Sequence, residues 1–245
     1  MDSRTAGRAS ADVAAAAASY CAAGLWLSAE YSPGPGLQTV GLVAGALVIG
    51  AAAGSVLRRS PRFSTPADRV TLLRAVLVSL CAVLAVPALC TGRAPDPLLV
   101  ILGAAAFLLD AVDGPVARRT GSASAEGARL DTATDAALVL VLSCAAAAAI
   151  GPWTLGMGAL YYIFAVVGRF RPHLRRRLPP SAARKVIGAF QPLALLLALA
   201  PGLPPVVAAA APALALPLLI LSFGRDVAAL ERLHLGSPRP AASHR

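Results

Sequence analysis

Long apolar runs separated by short polar connections make up most of this chain. Eight such runs span residues 11–29, 38–57, 70–91, 98–117, 130–150, 153–168, 186–201 and 205–224. A helix needs about 20 apolar residues to cross a bilayer core, and within lipid a helix satisfies its own backbone hydrogen bonds. The pattern therefore predicts an all-α fold, a polytopic bundle of membrane-spanning helices.

The amino-acid composition supports a membrane protein. Of the 245 residues, 57% are hydrophobic and only 14% are charged, whereas a soluble domain carries about 25% charged residues. The four cysteines are scattered through apolar runs and lack the spacing of metal ligands. They are therefore expected to be small buried hydrophobic residues, not zinc ligands or disulfides.

The distribution of basic residues predicts how the helices are oriented. The formal net charge is +10, and arginine and lysine concentrate at both termini and after the second, fourth and sixth apolar runs. Cytoplasmic loops of membrane proteins are enriched in these residues, so both termini are predicted to be cytoplasmic. The basic connections lack interleaved aromatic residues, which favours anionic lipid headgroups over nucleic acid as their partner.

Four aspartates lie in one short stretch at the edges of two apolar runs. Asp110 and Asp113 are three apart near the end of the fourth run, and Asp131 and Asp135 are four apart at the start of the fifth. Residues at these spacings share a helical face. The connection between the runs is short and rich in Gly and Ser, which predicts antiparallel neighbouring helices. All four carboxylates then converge just inside the cytoplasmic side of the membrane.

Four clustered carboxylates predict a divalent metal site, because without a counter-charge they would repel one another and be costly to desolvate. Oxygen ligands without His or Cys favour Mg²⁺ or Mn²⁺, and two such ions about 3.5–4 Å apart suit phosphoryl transfer. A carboxylate held less firmly by metal can take the proton of an attacking hydroxyl. The alternative, helix caps and ion pairs to nearby arginines, accounts for one or two aspartates and not for four in register.

The spacing of these aspartates also resembles a family pattern. The chain reads Asp110-Ala-Val-Asp113-Gly114-Pro-Val-Ala117-Arg118, then eight residues, Gly127, three residues, Asp131, three residues and Asp135. This sequence matches every fixed position of the pattern of the CDP-alcohol phosphotransferases, membrane enzymes of phospholipid synthesis. The resemblance implies that Asp110, Asp113 and Asp131 bind metal, and that Asp135 completes the second metal site and acts as general base.

The resemblance also implies a nucleotide site. Asp113 is one of the implied nucleotide contacts. The small residues Gly114 and Ala117 would let the cytidine diphosphate lie against the helix, and Arg118 would help to hold it. Taken without the family, two small residues one turn apart are more commonly a sign of close helix packing.

Residues 66–74, PADRVTLLR, resemble the segment that enters the family's first helix. Thr71 and Arg74 occupy its recurring Thr and Arg positions and are implied nucleotide contacts, although the usual Asn at the start of this segment is missing. Arg74 lies about one turn inside an apolar run, where an arginine needs a partner or a route to the interface. A phosphate, a carboxylate or a purely structural partner would each meet that need.

Three basic residues are candidates for binding the phosphate of a phosphorylated acceptor. Arg184 and Lys185 enter the seventh run after a strongly basic connection, and Arg129 is close to Asp131 in sequence. The simpler interpretation of the basic connection is membrane topology and attraction to anionic lipid. Ala136 also stands where many relatives have a basic residue, so the acceptor alcohol is left open.

The resemblance divides the chain into four parts. Residues 1–57 are predicted to form two N-terminal transmembrane helices of unknown role, 58–69 a juxtamembrane segment along the interface, 70–224 the six-helix catalytic core and 225–245 a cytoplasmic tail. The site is expected at the cytoplasmic surface of an integral protein of the cell membrane. A homodimer is frequent in the family, and the sequence neither supports nor opposes one.

The implied function is transfer of a phosphatidyl or similar group from a CDP-alcohol, with CDP-diacylglycerol as the favoured donor, to an acceptor alcohol with release of CMP. Two other classes are weighed against it. A divalent-cation transporter also carries intramembrane carboxylates, but here they cluster at one face, with no acidic residue midway through the other helices. A non-catalytic scaffold with this fold would be expected to have lost at least one of the four aspartates.

Overall fold

The computed structural model describes residues 3–59, 64–119, 124–171 and 181–235, without the side chains of 3–6, 112–119 and 233–235. Within these ranges the chain forms eight α-helices and no strand, which confirms the predicted all-α fold. The helices are α1 (Ser3–Tyr31), α2 (Pro35–Leu57), α3 (Pro66–Thr91), α4 (Pro97–Arg119), α5 (Ala125–Ile150), α6 (Leu155–Phe170), α7 (Ala182–Ala198) and α8 (Pro205–Leu235), with a 3-10 turn over Pro152–Thr154.

Capping residues explain why two core helices begin earlier than their apolar runs. Thr65 caps α3, its Oγ1 accepting from the Asp68 backbone nitrogen while the Asp68 carboxylate accepts from the Thr65 backbone. Pro66 occupies the first helical position, where its missing N–H costs nothing. The last residues of the predicted juxtamembrane segment are therefore the first turn of α3. Ser124 caps α5, its Oγ accepting from the Gly127 nitrogen at 2.9 Å.

Five helices of the described chain are long and apolar enough to cross a membrane: Pro35–Leu57, Pro66–Thr91, Ala125–Ile150, Pro152–Phe170 and Pro205–Arg232. A shorter apolar stretch, Pro97–Ala111, belongs to α4. The chain is an integral membrane protein. Crossings by α1, α4 and α7, which the apolar runs predicted, stay predictions. The last helix continues to Leu235, beyond the expected end at 224.

The most buried helix, α3, lies at the centre of the bundle and packs against α1, α2, α4 and α5. One apolar cluster joins α3 to α4, α5 and α7 through fully buried residues such as Val78, Leu99, Leu142 and Leu195. A second cluster joins α3 to the two N-terminal helices. The N-terminal helices are therefore packed onto the helix that also supports the site.

Two glycines let α2 approach the α3 backbone closely. A Cβ on Gly41 would lie 2.7 Å from the Val83 carbonyl oxygen, and one on Gly45 would lie 2.6 Å from that of Ser79. Their four-residue spacing is the small-residue pattern that brings membrane helices into backbone contact. Next to them, the Tyr20 hydroxyl of α1 donates to the Leu42 carbonyl.

Candidate active site

The start of α5 and the end of α4 bring three of the four predicted ligands together. One carboxylate oxygen each from Asp110, Asp131 and Asp135 lies within 4.8 Å of the others. Their side chains are 40%, 39% and 46% exposed, so the cluster is open on one side. Asp113 belongs to the same helix as Asp110, but its side chain is outside the described part of the chain.

Arg74 supplies the positive charge in contact with this cluster. Its side chain is 1% exposed, and its Nη1 lies 2.9 Å from Asp110 Oδ1 and 2.6 Å from Asp131 Oδ1. Its Nη2 donates to Asp135 Oδ1. An arginine fork can serve several acceptors at once because its donors are fixed in one plane. Among the described side chains, three carboxylates face one guanidinium, so a surplus of negative charge is left when all three are ionised.

That surplus and the donor set fit a hard divalent cation. Mg²⁺ and Mn²⁺ prefer oxygen ligands, and each aspartate presents one carboxylate oxygen to a shared region. The exposure of the three side chains leaves a face from which an ion and a phosphate group can approach. Three residues of the predicted metal set are thus placed where they can hold metal together.

A large cavity adjoins the cluster. It has a volume of about 510 Å³. Its walls include Asp110 and Asp135, and also Arg184 and Lys185 from α7. Other polar groups on the walls are Thr132, Gln191, Ser222 and Asp226. The cavity therefore places two carboxylates of the aspartate cluster, two cations and several hydrogen-bonding groups around one space.

The two predicted cations in this cavity differ in their surroundings. Arg184 Nη1 lies 3.3 Å from Asp226 Oδ2 of α8, with both side chains about one-third exposed. Lys185 is exposed. An anionic ligand in the cavity would meet the Lys185 ammonium beside an arginine whose charge is already partly balanced.

A second, nearly apolar groove of about 450 Å³ lies between α2, α3, α5 and α6. Its lining on α5 includes Leu130 and Thr134, each directly next to a cluster aspartate in sequence. Tyr161 lines both this groove and the polar cavity. An apolar space and a polar space therefore meet at the same side chain.

Comparison with known proteins decides the family. The family model described as CDP-alcohol phosphatidyltransferase matches residues 64–221. The chain belongs to the CDP-alcohol phosphatidyltransferase family. No curated protein and no solved structure matches the chain significantly. The matched range runs from the cap of α3 into α8, and α1 and α2 lie before it.

Membership of the CDP-alcohol phosphatidyltransferase family confirms the resemblance found in the sequence. It supports transfer of a phospho-alcohol group from a CDP-alcohol to an alcohol acceptor. The family also uses divalent metal, in agreement with the aspartate cluster.

The predicted nucleotide residues of this family member are located only in part. The Thr71 hydroxyl is buried and donates to the Ala67 carbonyl of its own helix at 3.1 Å, while Arg74 contacts the aspartates. Gly114, Ala117 and Arg118 belong to the last turns of α4, but their side chains fall outside the described residues. Their roles at the nucleotide stay predictions.

The third acceptor candidate is separated from the other two. Arg129 is exposed in the first turns of α5, and the described lining of the polar cavity does not include it. Arg184 and Lys185 do line the cavity. The geometry thus favours α7 over Arg129 as the source of a cation for the acceptor.

Sequence analysis missed a buried ion pair next to the site. Arg59 Nη1 and Nη2 lie 2.7 and 2.8 Å from the two carboxylate oxygens of Asp68, and these side chains are 2% and 1% exposed. The Thr-x-x-Asp sequence of residues 65–68 is a helix-start pattern that could have identified Asp68 as a capping residue. No local pattern points to Arg59 as its partner.

Proposed function

We propose that this protein transfers a phosphatidyl group from CDP-diacylglycerol, or a similar group from a related CDP-alcohol, to an acceptor alcohol. The observation that carries the proposal is the position of Asp135. Its carboxylate is within 4.8 Å of two other predicted metal ligands and also lines the polar cavity. One side chain therefore faces both the place for the phosphates and a space large enough for an alcohol.

The proposed reaction is a displacement at phosphorus. The acceptor hydroxyl loses its proton to the Asp135 carboxylate, and its oxygen forms a bond to the β-phosphorus, which carries the lipid alcohol. The bond from that phosphorus to the bridging oxygen breaks, and CMP leaves with the electron pair. A carboxylate is suited to this task only if it reaches the hydroxyl, which the shared cavity lining allows.

Asp110, Asp131 and Asp135 would hold the divalent cations, with Asp113 as the fourth predicted ligand. We propose two ions, Mg²⁺ or Mn²⁺. Bound there, they would neutralise the charge that builds on the phosphates during transfer. Arg74 contributes by holding three aspartates in one arrangement, since its nitrogens contact all of them.

The acceptor is proposed to occupy the polar cavity. Lys185 and Arg184 would attract a phosphate on the acceptor, and Gln191 and Ser222 offer hydrogen bonds to hydroxyl groups. Because Asp226 pairs with Arg184, the net positive charge of this region is modest. Both a phosphorylated polyol and an uncharged polyol are therefore compatible with the walls.

The lipid part of the donor is proposed to lie along the apolar groove. The groove meets the polar cavity at Tyr161, so hydrocarbon chains in the groove would be continuous with a diphosphate at the aspartates. Four helices line the groove, and α2 is among them although it precedes the family match. This arrangement favours a donor with hydrocarbon chains over a water-soluble CDP-alcohol.

The basic connections indicate that both termini are cytoplasmic. In that orientation the transfer reaction at the lipid headgroup would take place at the cytoplasmic surface.

The test is an assay of CMP release by the purified protein in lipid with CDP-diacylglycerol, Mn²⁺ or Mg²⁺, and a panel of acceptors. The panel contains serine, glycerol phosphate, inositol and inositol phosphate. Release with one acceptor would establish the reaction and identify that acceptor. Absence of both CDP-lipid binding and CMP release with every acceptor would contradict the proposal and favour a non-catalytic scaffold.

A divalent-cation transporter is the second function considered. The three described aspartates cluster at the end of α4 and the start of α5, around one shared region, which suits a fixed metal site better than an ion path along the helices. The family match adds a nucleotide pattern that transport does not require. These observations favour the transferase.

A further inference from the structure

A buried ion pair links the end of α2 to the start of α3, the helix that carries Arg74. Arg59 follows the end of α2, outside the range matched by the family, and Asp68 lies in the first turn of α3. Arg59 Nη1 donates to Asp68 Oδ2 at 2.7 Å, and Nη2 donates to Asp68 Oδ1 at 2.8 Å. Such a two-point contact fixes orientation as well as distance.

Asp68 is itself held from several sides. Its Oδ2 accepts from the backbone nitrogen and the hydroxyl of Thr65, each at 2.8 Å. Its Oδ1 would lie 3.5 Å from a Cβ placed on Gly127. The carboxylate therefore stands where the end of α2, the start of α3 and the start of α5 meet.

Every described residue of the metal site follows this junction within a few turns, apart from Asp110. Arg74 is six residues after Asp68, about 9 Å along α3. Asp131 and Asp135 come one and two turns after Gly127 on α5. A shift of either helix start would move the arginine relative to the aspartates that it contacts.

We propose that Arg59 is a positioning residue for the metal site. Through Asp68 it ties the end of α2 to the first turn of α3, which lies beside the start of α5, and so sets the distances among Arg74, Asp131 and Asp135. The inference rests on the metal site of the proposed function. It gives the N-terminal helices a part in the chemistry of the family core that they precede.

The test is a Mn²⁺ titration of the full chain in detergent, in which electron paramagnetic resonance measures the bound ion. This measurement does not depend on enzyme turnover. The main variant is Arg59→Met with Asp68→Asn, because removing both charges leaves no uncompensated ion in the interior. Loss of a partner that hydrogen-bonds a metal ligand weakens metal binding about 10–100-fold, and because Arg59 acts through Asp68 and the helix starts, its loss is expected at the lower end of that range. We expect at least a tenfold weaker Mn²⁺ affinity in the double variant, with a melting temperature close to that of the parent protein.

The matched control is Arg69→Met. Arg69 Nε lies 3.0 Å from Asp12 Oδ2 and links α3 to α1, but this pair is 56% and 20% exposed. If any broken link to the N-terminal helices weakened the site, this variant would lose Mn²⁺ affinity too. We expect it to bind Mn²⁺ as the parent does.

A conservative variant keeps the test decisive should the double variant unfold. Arg59→Lys retains the charge but not the two-point contact. We expect Mn²⁺ affinity between those of the parent and the double variant. If the double variant folds and binds Mn²⁺ as the parent does, this inference alone is overturned. If the double variant unfolds, parental Mn²⁺ affinity in Arg59→Lys overturns it instead. Absence of Mn²⁺ binding by the parent protein would overturn the proposed metal site together with it.

Discussion

Arg74 Nη1 lies 2.6 Å from Asp131 Oδ1, although the two residues are 57 positions apart in the chain. The same guanidinium contacts Asp110 and Asp135, so one side chain of the central helix α3 touches aspartates on two other helices. The arginine is almost completely buried, and the carboxylates are its charge partners. The arrangement explains why a charged residue can be placed inside a long apolar run.

Replacing Arg74 is expected to abolish activity for an electrostatic reason. Arg74→Met would leave the aspartates without their buried counter-charge, so they would repel one another and move apart. We expect CMP release to fall at least about a hundredfold, the upper end for loss of an outer contact to a metal site. Arg74→Lys should recover only a small part, because an ammonium group cannot reproduce the arginine fork. Full activity in Arg74→Lys would show that charge alone suffices.

The base role of Asp135 predicts a separation between turnover and binding. Asp135→Asn keeps an oxygen for metal but cannot take a proton, so we expect no measurable CMP release with CDP-lipid affinity largely retained. Asp110→Asn removes a charge from a predicted ligand and is expected to weaken metal-dependent CDP-lipid binding. Isothermal titration with CDP-diacylglycerol in detergent measures the CDP-lipid affinity of both variants. An equal loss of binding in the two variants would contradict a separate base role.

The cavity predicts that α7 determines recognition of a charged acceptor. If the panel assay identifies a phosphorylated acceptor, Lys185→Met should raise its KM about tenfold or more and leave the KM for the CDP-lipid unchanged. Arg225→Met is the control, since Arg225 is exposed next to Asp226 and is absent from the described cavity lining. A larger effect from Arg129→Met than from Lys185→Met would place the acceptor phosphate outside the cavity.

The close approach of α2 and α3 predicts a specific loss of stability. A Cβ on Gly45 would lie 2.6 Å from a backbone oxygen and 2.7 Å from Tyr20, so Gly45→Ala must push the helices apart. Overpacking of this kind costs about 1–3 kcal/mol. Gly50→Ala on the same helix meets nothing within 4 Å and should not destabilise. The two variants are compared by their melting temperatures in detergent. Equal melting temperatures would show that the contact between α2 and α3 at Gly45 is not tight.

The sequence predicted the helical bundle and three members of the aspartate cluster because both follow from residues that are close together in the chain. Runs of apolar residues identify helices in a membrane, and aspartates at intervals of three and four share a helical face. The predicted start of α5 at residue 130 was late because a polar first turn, capped by Ser124, precedes the apolar run. Apolarity marks the buried part of a helix and not its beginning.

Contacts between distant segments could not be predicted in this way. The pairing of Arg59 with Asp68 depends on how the end of α2 meets the start of α3, and Arg59 looks in sequence like any other basic residue near a membrane surface. The entry of Lys185 into the wall of a cavity beside Asp135 depends on the packing of α7 near α5. In the sequence, the positive charge after the sixth apolar run fitted membrane topology as well as an acceptor phosphate, and no local pattern placed Lys185 beside Asp135.

The central claim is metal-dependent transfer at the aspartate cluster, and one measurement tests it most directly. The purified protein is stripped of metal with a chelator, and CMP release from CDP-diacylglycerol with the acceptor panel is followed as Mn²⁺ or Mg²⁺ is added back. Asp131→Asn is measured alongside. The account predicts no release without metal, recovery on addition, and no recovery in the variant. Release that persists without metal, or equal release by Asp131→Asn, would contradict it.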